Sequence, residues 1–200
     1  MEHREPDMSD IRNIYHNLRA KEPLPEIAVH GNGFLLVPVG PTTRLHIWHP
    51  NVPKQVNPTP IHDHRFSFRS RVLVGELLNI IYREVDGTTY SVHVCVPTHG
   101  VNTELVPRGQ TIGLEVASQT RYPMGWSYDM PKFLFHETLC SVPTATLMTK
   151  TEIVEQHIPR VLVPAGMTPS NDFDRHEQIT QEVAWAIVEA VMLSGDTNGS

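Results

Sequence analysis

His62 and His64 stand one residue apart in the stretch Ile61-His62-Asp63-His64-Arg65-Phe66-Ser67-Phe68, and another histidine, His136, lies far downstream. On an extended strand, residues i and i+2 share a face at about 7 Å between Cα atoms. Two imidazoles at that spacing can converge on one ion, with nitrogen-to-metal distances of about 2.1 Å. The spacing also fits a polar strand that simply contains two histidines. With 12 histidines in 200 residues, roughly 0.7 His-x-His pairs arise by chance. The pair alone leaves both readings open. Asp63, between them, is expected to point away from both imidazoles.

A second pattern changes the balance. Gly125, Pro131 and His136 are separated by five and four residues, a spacing that chance supplies only roughly 0.06 times at this composition. The two patterns together resemble the cupin motifs, G-x5-H-x-H-x3,4-E-x6-G and G-x5-P-x-G-x2-H-x3-N. His62 and His64 match the paired ligands of the first, and Gly75 stands near its closing glycine. Gly125, Pro131 and His136 match the second in register. The departures are specific. Val56 stands where the first motif opens with glycine, and Phe68 and Arg69 stand where its glutamate belongs. Phe133 replaces the inner glycine of the second motif, and Cys140 its asparagine. Within the family, HDHRFSFRSRVLVGEL resembles bacterial and phage members with an HDHRW-F-SRVL-G-L signature, which brings no reaction with it. The resemblance covers roughly residues 40–150, and the stretch from Gly75 to Gly125 is long enough to carry an extra hairpin.

The resemblance implies an all-β fold: a cupin-type double-stranded β-helix, or jelly-roll barrel, flanked by N- and C-terminal α-helices. It also implies a mononuclear metal held by His62, His64 and His136. Three imidazoles without a carboxylate form a neutral ligand set that suits Fe(II) foremost, with Zn, Ni or Mn as alternatives. Positions would stay open for water, substrate or O₂. The expected function is a metal-dependent enzyme on a small molecule, a non-haem iron dioxygenase. The alternatives are a non-catalytic cupin that binds a small ligand, and a metal-dependent isomerase or epimerase. The Ser-His-Tyr relay of the thiol dioxygenases cannot be pointed to. The His-x-Asp/Glu pattern of 2-oxoglutarate oxygenases is not met, because Asp63 adjoins His62.

Arg69, Tyr82, His93 and Tyr128 are the further catalytic candidates. Arg69 and Arg71 share the parity opposite to Phe66 and Phe68 unless a bulge between Phe68 and Val72 turns one inward. An inward guanidinium would suit a carboxylate or phosphate; an outward one is a surface residue. Tyr82, His93 and Tyr128 sit on β-rich segments, where such residues also complete a core or rim. His46 shares the polar face of its strand with Arg44 and Trp48 and could line the mouth. His99, His157 and His176 are expected in solvent. Glu76 and Glu137 could supply a carboxylate, although Glu137 should face away from His136. Cys140 falls on the His136 face and reads as a buried, inert thiol.

Positioning these residues requires many short strands. The 17 prolines and successive β-rich segments argue for a barrel or sandwich. The segments are Gly33–Val39, Thr43–His49, His64–Val74, Leu77–Glu84, Thr88–Val96, Thr111–Ser118, Lys132–Leu139, Ala145–Thr151 and Glu155–Val163. Asp86-Gly87 and Pro107-Arg108-Gly109 read as turns between them. Ile11, Ile14, Tyr15 and Leu18 recur at helical spacing, with Ser9 or Asp10 as the cap. Ile179, Val183, Ile187 and Val191, widened by Trp185, Val188 and Met192, mark a second helix, started by Asp172 or Asp174, that packs outside the barrel or on a partner subunit. The expected organisation is 1–25 helical, 26–165 barrel, and 166–200 helix with a frayed tail.

Twenty-two acidic against 16 basic residues give a formal charge of −6, which leaves no basic footprint for nucleic acid. No apolar run suits a signal peptide or a membrane span. Two cysteines argue against a disulfide framework and for a reducing cytoplasm. A small-molecule ligand is the expected partner, with a homodimer through sheet edges as the family-based expectation.

Overall fold

The computed structural model describes residues 8–53, 60–97, 103–141, 143–169 and 178–194. Helix α1 (Met8–Arg19) leads into β1 (Ala28–His30), β2 (Phe34–Pro38), β3 (Thr43–Trp48), β4 (Phe66–Val74), β5 (Glu76–Pro97) and β6 (Thr103–Pro123). Then come β7 (Ser127–Met130), β8 (Phe135–Leu139), β9 (Thr144–Ile153), β10 (Arg160–Pro164) and helix α2 (Gln181–Met192). All the strand pairs are antiparallel. One sheet has the order β1-β2-β3-β9-β4-β7. In the other, β5 pairs with β6 along one edge and with β8 and β10 along the other. This is the all-β, two-sheet arrangement of a cupin-type jelly roll with two flanking helices.

Alternation along the strands sorts the larger sheet into two faces. Leu35, Val37, Leu45, Ile47 and Ala145 lie on the outer one, in one apolar cluster with Ile11, Tyr15 and Leu18 of α1 and Ala184, Trp185, Val188, Val191 and Met192 of α2. The Tyr15 hydroxyl donates to Glu189 at 2.7 Å, joining the helices. The Gln181 side chain accepts from Ile27 N and donates to Ile27 O. The second helix therefore packs on the barrel of its own chain. The inner face carries Phe66, Phe68, Val72, Tyr128, Met130 and Met148, which meet Leu77 and Tyr122 of the other sheet to form the barrel interior.

Several element boundaries differ from the sequence-based expectations, for identifiable reasons. Leu77–Glu84 and Thr88–Val96 belong to one 22-residue strand. Asp86-Gly87 is a bulge within it, since Val85 pairs with Gly113 and Tyr90 with Ile112. Pro107-Arg108-Gly109 is likewise a bulge inside β6, opposite Ser91 and His93. Glycine and aspartate relieve a bulge by the same backbone freedom that forms a turn, so local composition does not separate the two. Helix α1 starts at Met8, so Asp10 lies in its first turn rather than capping it. There its carboxylate favours the helix dipole. Helix α2 is capped by Thr180, whose side chain accepts from Val183 N at 3.3 Å; Asp172 and Asp174 lie outside the described residues. Val183 is exposed, whereas Ile187 and Val191 are buried. The short strands β1 and β7 were not anticipated. No described helix is long and apolar enough to cross a membrane.

Candidate metal centre

The segment carrying His62 runs between β8 and β10. His62 N donates to His136 O at 3.1 Å, and His136 N returns a bond to His62 O at 3.0 Å. On the other side, Asp63 N donates to Arg160 O at 2.9 Å and Leu162 N to Ile61 O at 2.9 Å. Residues paired directly across antiparallel strands present their side chains on one face. The two imidazoles that the sequence separates by seventy-odd positions thus become neighbours by strand pairing alone. His64 joins them by period-two alternation. Its Nε2 lies 3.1 Å from Nε2 of His136, and one ligand atom from each of His62, His64 and His136 falls within 4.8 Å of the others. Two nitrogens bound to one ion at about 2.1 Å would stand roughly 3.0–3.4 Å apart at octahedral or tetrahedral angles. The donor set fits a transition metal.

Two of the rings are oriented from behind. His136 Nδ1 lies 3.1 Å from Oδ1 of the buried Asn79, and His62 Nδ1 lies 2.7 Å from Pro60 O. Each of these oxygens only accepts, so each Nδ1 carries the proton and each Nε2 presents its lone pair inward. Burial holds all three imidazoles below the usual histidine range. For His64 and His136 the neighbouring histidines push further the same way, while Pro60 O and Asp63 partly oppose the shift at His62. Neutral imidazoles are the ligand form that metal binding requires.

The walls are aromatic. Phe66 stacks on His64 with centroids 4.8 Å apart, and Phe68 meets it edge-on at 5.4 Å. His46 is half-buried on the inner face between Phe34 and Trp48, and its Nε2 is shielded from solvent with no hydrogen-bond partner. Burial lowers its pKa well below the ordinary value, and Arg44, His62 and His136 add to the shift. Asn79 carries a sequence signal that went unread: a lone amide between Leu77-Leu78 and Ile80-Ile81 in a buried strand.

Asp63 points away from the metal-side face, as its parity required, and is fully buried. Its carboxylate accepts from Arg160 N at 2.6 Å and from Arg160 Nε at 2.7 Å, with His157 Nε2 at 3.2 Å. His157 is therefore a partner of Asp63, not the solvent residue expected; His99 and His176 lie outside the described residues.

The four further candidates fall in different places. Arg69 is exposed on the outer face, because it alternates with the buried, inward Phe68 and Ser70 of β4. The strand's register shifts lie between Ser67 and Phe68 and between Val72 and Val74, and neither turns Arg69 inward. Tyr82 pairs with Phe135, one step from the Ile81–His136 pair, and packs against the cluster on the outer face of its sheet. There it donates to Glu137, which accordingly also faces away from the histidines. His93 pairs with Val161, which itself bridges to His62, so His93 shares the His62 face two strands away. Tyr128 is inside the barrel, stacked on Tyr122 at 4.5 Å and separated from His136 by Phe68. Burial raises the pKa of both tyrosines, with Glu137 adding to the effect at Tyr82. Glu76 pairs with Arg121 at the surface. Cys140 packs against the interior cluster, and burial pushes its thiol up to about 12.

Phe133 stands where the motif resemblance expects a glycine. It has a left-handed backbone with φ 68, and its N donates to His64 O at 3.0 Å, pinning the loop against the His64 segment. A non-glycine residue in this region loses about 1–2 kcal/mol, while glycine loses about 0.5–1 kcal/mol more chain entropy on folding. Phe133→Gly is therefore expected to be more stable than Phe133→Ala, by roughly 0.5–1 kcal/mol. Chemical denaturation of both variants checks that order; a more stable alanine variant contradicts the left-handed assignment.

No protein-family model matches the chain, and no curated protein matches it. Two solved structures of hydroquinone 1,2-dioxygenases are similar to it. One is PnpCD in complex with Cd2+ and 4-hydroxybenzonitrile, at 13% identity and TM-score 0.36, covering 78% of this chain and 81% of that one. The other is the enzyme from Sphingomonas sp. TTNP3 with 4-hydroxybenzoate bound, at 9% identity and TM-score 0.35, covering 77% and 82%. Likeness of this degree carries no functional weight.

Proposed function

We propose that the chain is a metal-dependent enzyme acting on a small molecule, with one transition-metal ion held by His62, His64 and His136, and that its chemistry is that of a non-haem iron dioxygenase. The observation that carries this reading is the convergence of the three imidazoles, with Nε2 of His64 and His136 3.1 Å apart and the His136 ring held by Asn79. When bound, Fe(II) would supply open positions for a diatomic oxidant and a substrate together. The chain's own residues then perform separable tasks. Asn79 and Pro60 O fix the tautomers of His136 and His62, so neither ring needs to reorganise when it donates. Phe66 and Phe68 exclude water from one side of His64. The neutral ligand set leaves the ion's charge uncompensated and so favours an anionic substrate.

Nitric oxide, which takes up the position an incoming diatomic would use, tests the reading directly. The Fe(II)-loaded chain treated with nitric oxide should give the half-integer-spin EPR signal of iron–nitrosyl. A coordination shell that is already closed gives no such signal and contradicts an oxygenase.

A further inference from the structure

We propose that Trp48 and the rings beside it form a platform that holds the flat, aromatic body of a small molecule facing the three histidines. The proposal deepens the metal-site reading and rests on it only for what the far side of the ligand meets. Strand register turns Trp48 inward. Leu45 and Ile47 of β3 pack in the outer cluster, so His46 and Trp48 share the opposite, inner face. On β2, Leu36 pairs with His46, which puts Phe34 on that face as well. Four rings then lead toward the site. Trp48 and His46 lie 4.9 Å and 4.8 Å from the Phe34 ring, and His30 stacks on it at 4.4 Å. The His30 ring in turn stands 6.4 Å from that of His62. His62 and His136 also act on His46 electrostatically, which sets this wall within reach of the metal centre.

Burial separates this wall from an ordinary core. Phe68, Tyr128, Met130 and Met148 face the interior and are closed off from solvent. Trp48 and His46 face the same interior yet stay half-buried. The metal ligands divide in the same way, for His62 and His64 are half-buried whereas His136 is buried. The interior is therefore open on the side where the His62–His64 segment meets the wall of rings, and solvent enters between them. An indole left partly wet on an inward face gives up apolar burial that a core ring would have. A flat aromatic molecule recovers that burial by offset or edge-on contact with Trp48 and Phe34. A puckered ring of the same size cannot lie as close along both. Concave sites lined by aromatic rings with a few polar groups are the usual form of small-ligand sites, and here the polar groups are the three imidazoles.

Competition titrations on the full chain, loaded with Zn(II) and stripped of metal, test the proposal. The fluorine signal of 4-fluorobenzamide reports its displacement by benzamide or by cyclohexanecarboxamide, which share a polar group and a size but differ in flatness. Benzamide should bind about 2- to 10-fold more tightly, the range for an aromatic pair. Trp48→Leu and Trp48→Met should each bring the two competitors together without changing metal content, and Trp48→Phe should keep most of the preference. Circular dichroism verifies that each variant folds. In chain shown to hold Mn(II), the bound probe should give a broader fluorine signal than in the Zn(II) form. Equal affinity for the two competitors, no saturable probe binding, or an unchanged preference in folded Trp48→Leu and Trp48→Met overturns the platform. Equal linewidths in the Mn(II) and Zn(II) forms place the ligand away from the histidines and overturn it as well. A chain that holds metal but lacks the preference refutes this proposal alone. A chain that prefers benzamide but holds no metal refutes the metal reading alone.

Discussion

Asp63→Ala is expected to destabilise the chain by about 3 kcal/mol, which for a protein of this size is a fall in melting temperature of roughly 6–12 °C. The carboxylate is fully buried and answers the backbone and side chain of Arg160 together with His157. Removing it leaves the Arg160 N–H without its acceptor and strands a guanidinium that is stacked 4.4 Å over Phe135. The guanidinium is partly exposed and also meets Glu84 at 3.3 Å, which keeps the loss at the lower end of the range for a broken buried pair. Asp63→Asn retains an acceptor for Arg160 N and should lose about half as much. Because Asp63 ties the His62–His64 segment to β10, the alanine variant should also hold metal more weakly. Thermal unfolding with metal titration checks both effects; a melting temperature within about 2 °C of wild type contradicts the first.

Gly75→Ala is expected to be about as damaging, near 3–4 kcal/mol, for an unrelated reason. Gly75 joins β4 to β5 with φ +73, and a Cβ there would stand 2.4 Å from Pro143 O and 2.7 Å from Thr144 Oγ1. One obstacle is backbone, so relief requires moving the segment that leads into β9 rather than turning a side chain. That segment is itself held, since Thr144 Oγ1 donates to Glu76 O at 2.9 Å. Chemical denaturation measures the loss, and a loss below about 1 kcal/mol would mean that the strand junction yields easily. Gly75 thus has a local steric role at a crowded corner.

Much of the site was legible because it depends on period-two alternation, which sequence displays directly. The shared face of His62 and His64, the outward turn of Asp63, the outward Glu137 and the inward Phe66 and Phe68 all follow from counting along a strand. Pairing across strands is not displayed in that way. That His62, His64 and His136 come together was implied by the motif resemblance, whereas the pairing of His62 with His136 and the row that continues through Val161 to His93 were hidden. The positions of Tyr82, Asn79 and Lys150 likewise depend on which strands adjoin. The long β5–β6 hairpin was divided into shorter strands because Asp86-Gly87 and Pro107-Arg108-Gly109 carry turn chemistry, and only the partner strand makes them bulges. Phe133 shows the reverse case, in which a left-handed backbone position is occupied by a residue type that does not announce it.

The central claim is that His62, His64 and His136 hold one metal ion. The most direct measurement is elemental analysis of the chain purified without added metal and after reconstitution with Fe(II), beside His62→Ala and His136→Ala. About one equivalent of metal in the wild type, falling at least about tenfold in both variants, is the predicted result. Wild-type protein that holds no more metal than either variant would contradict it.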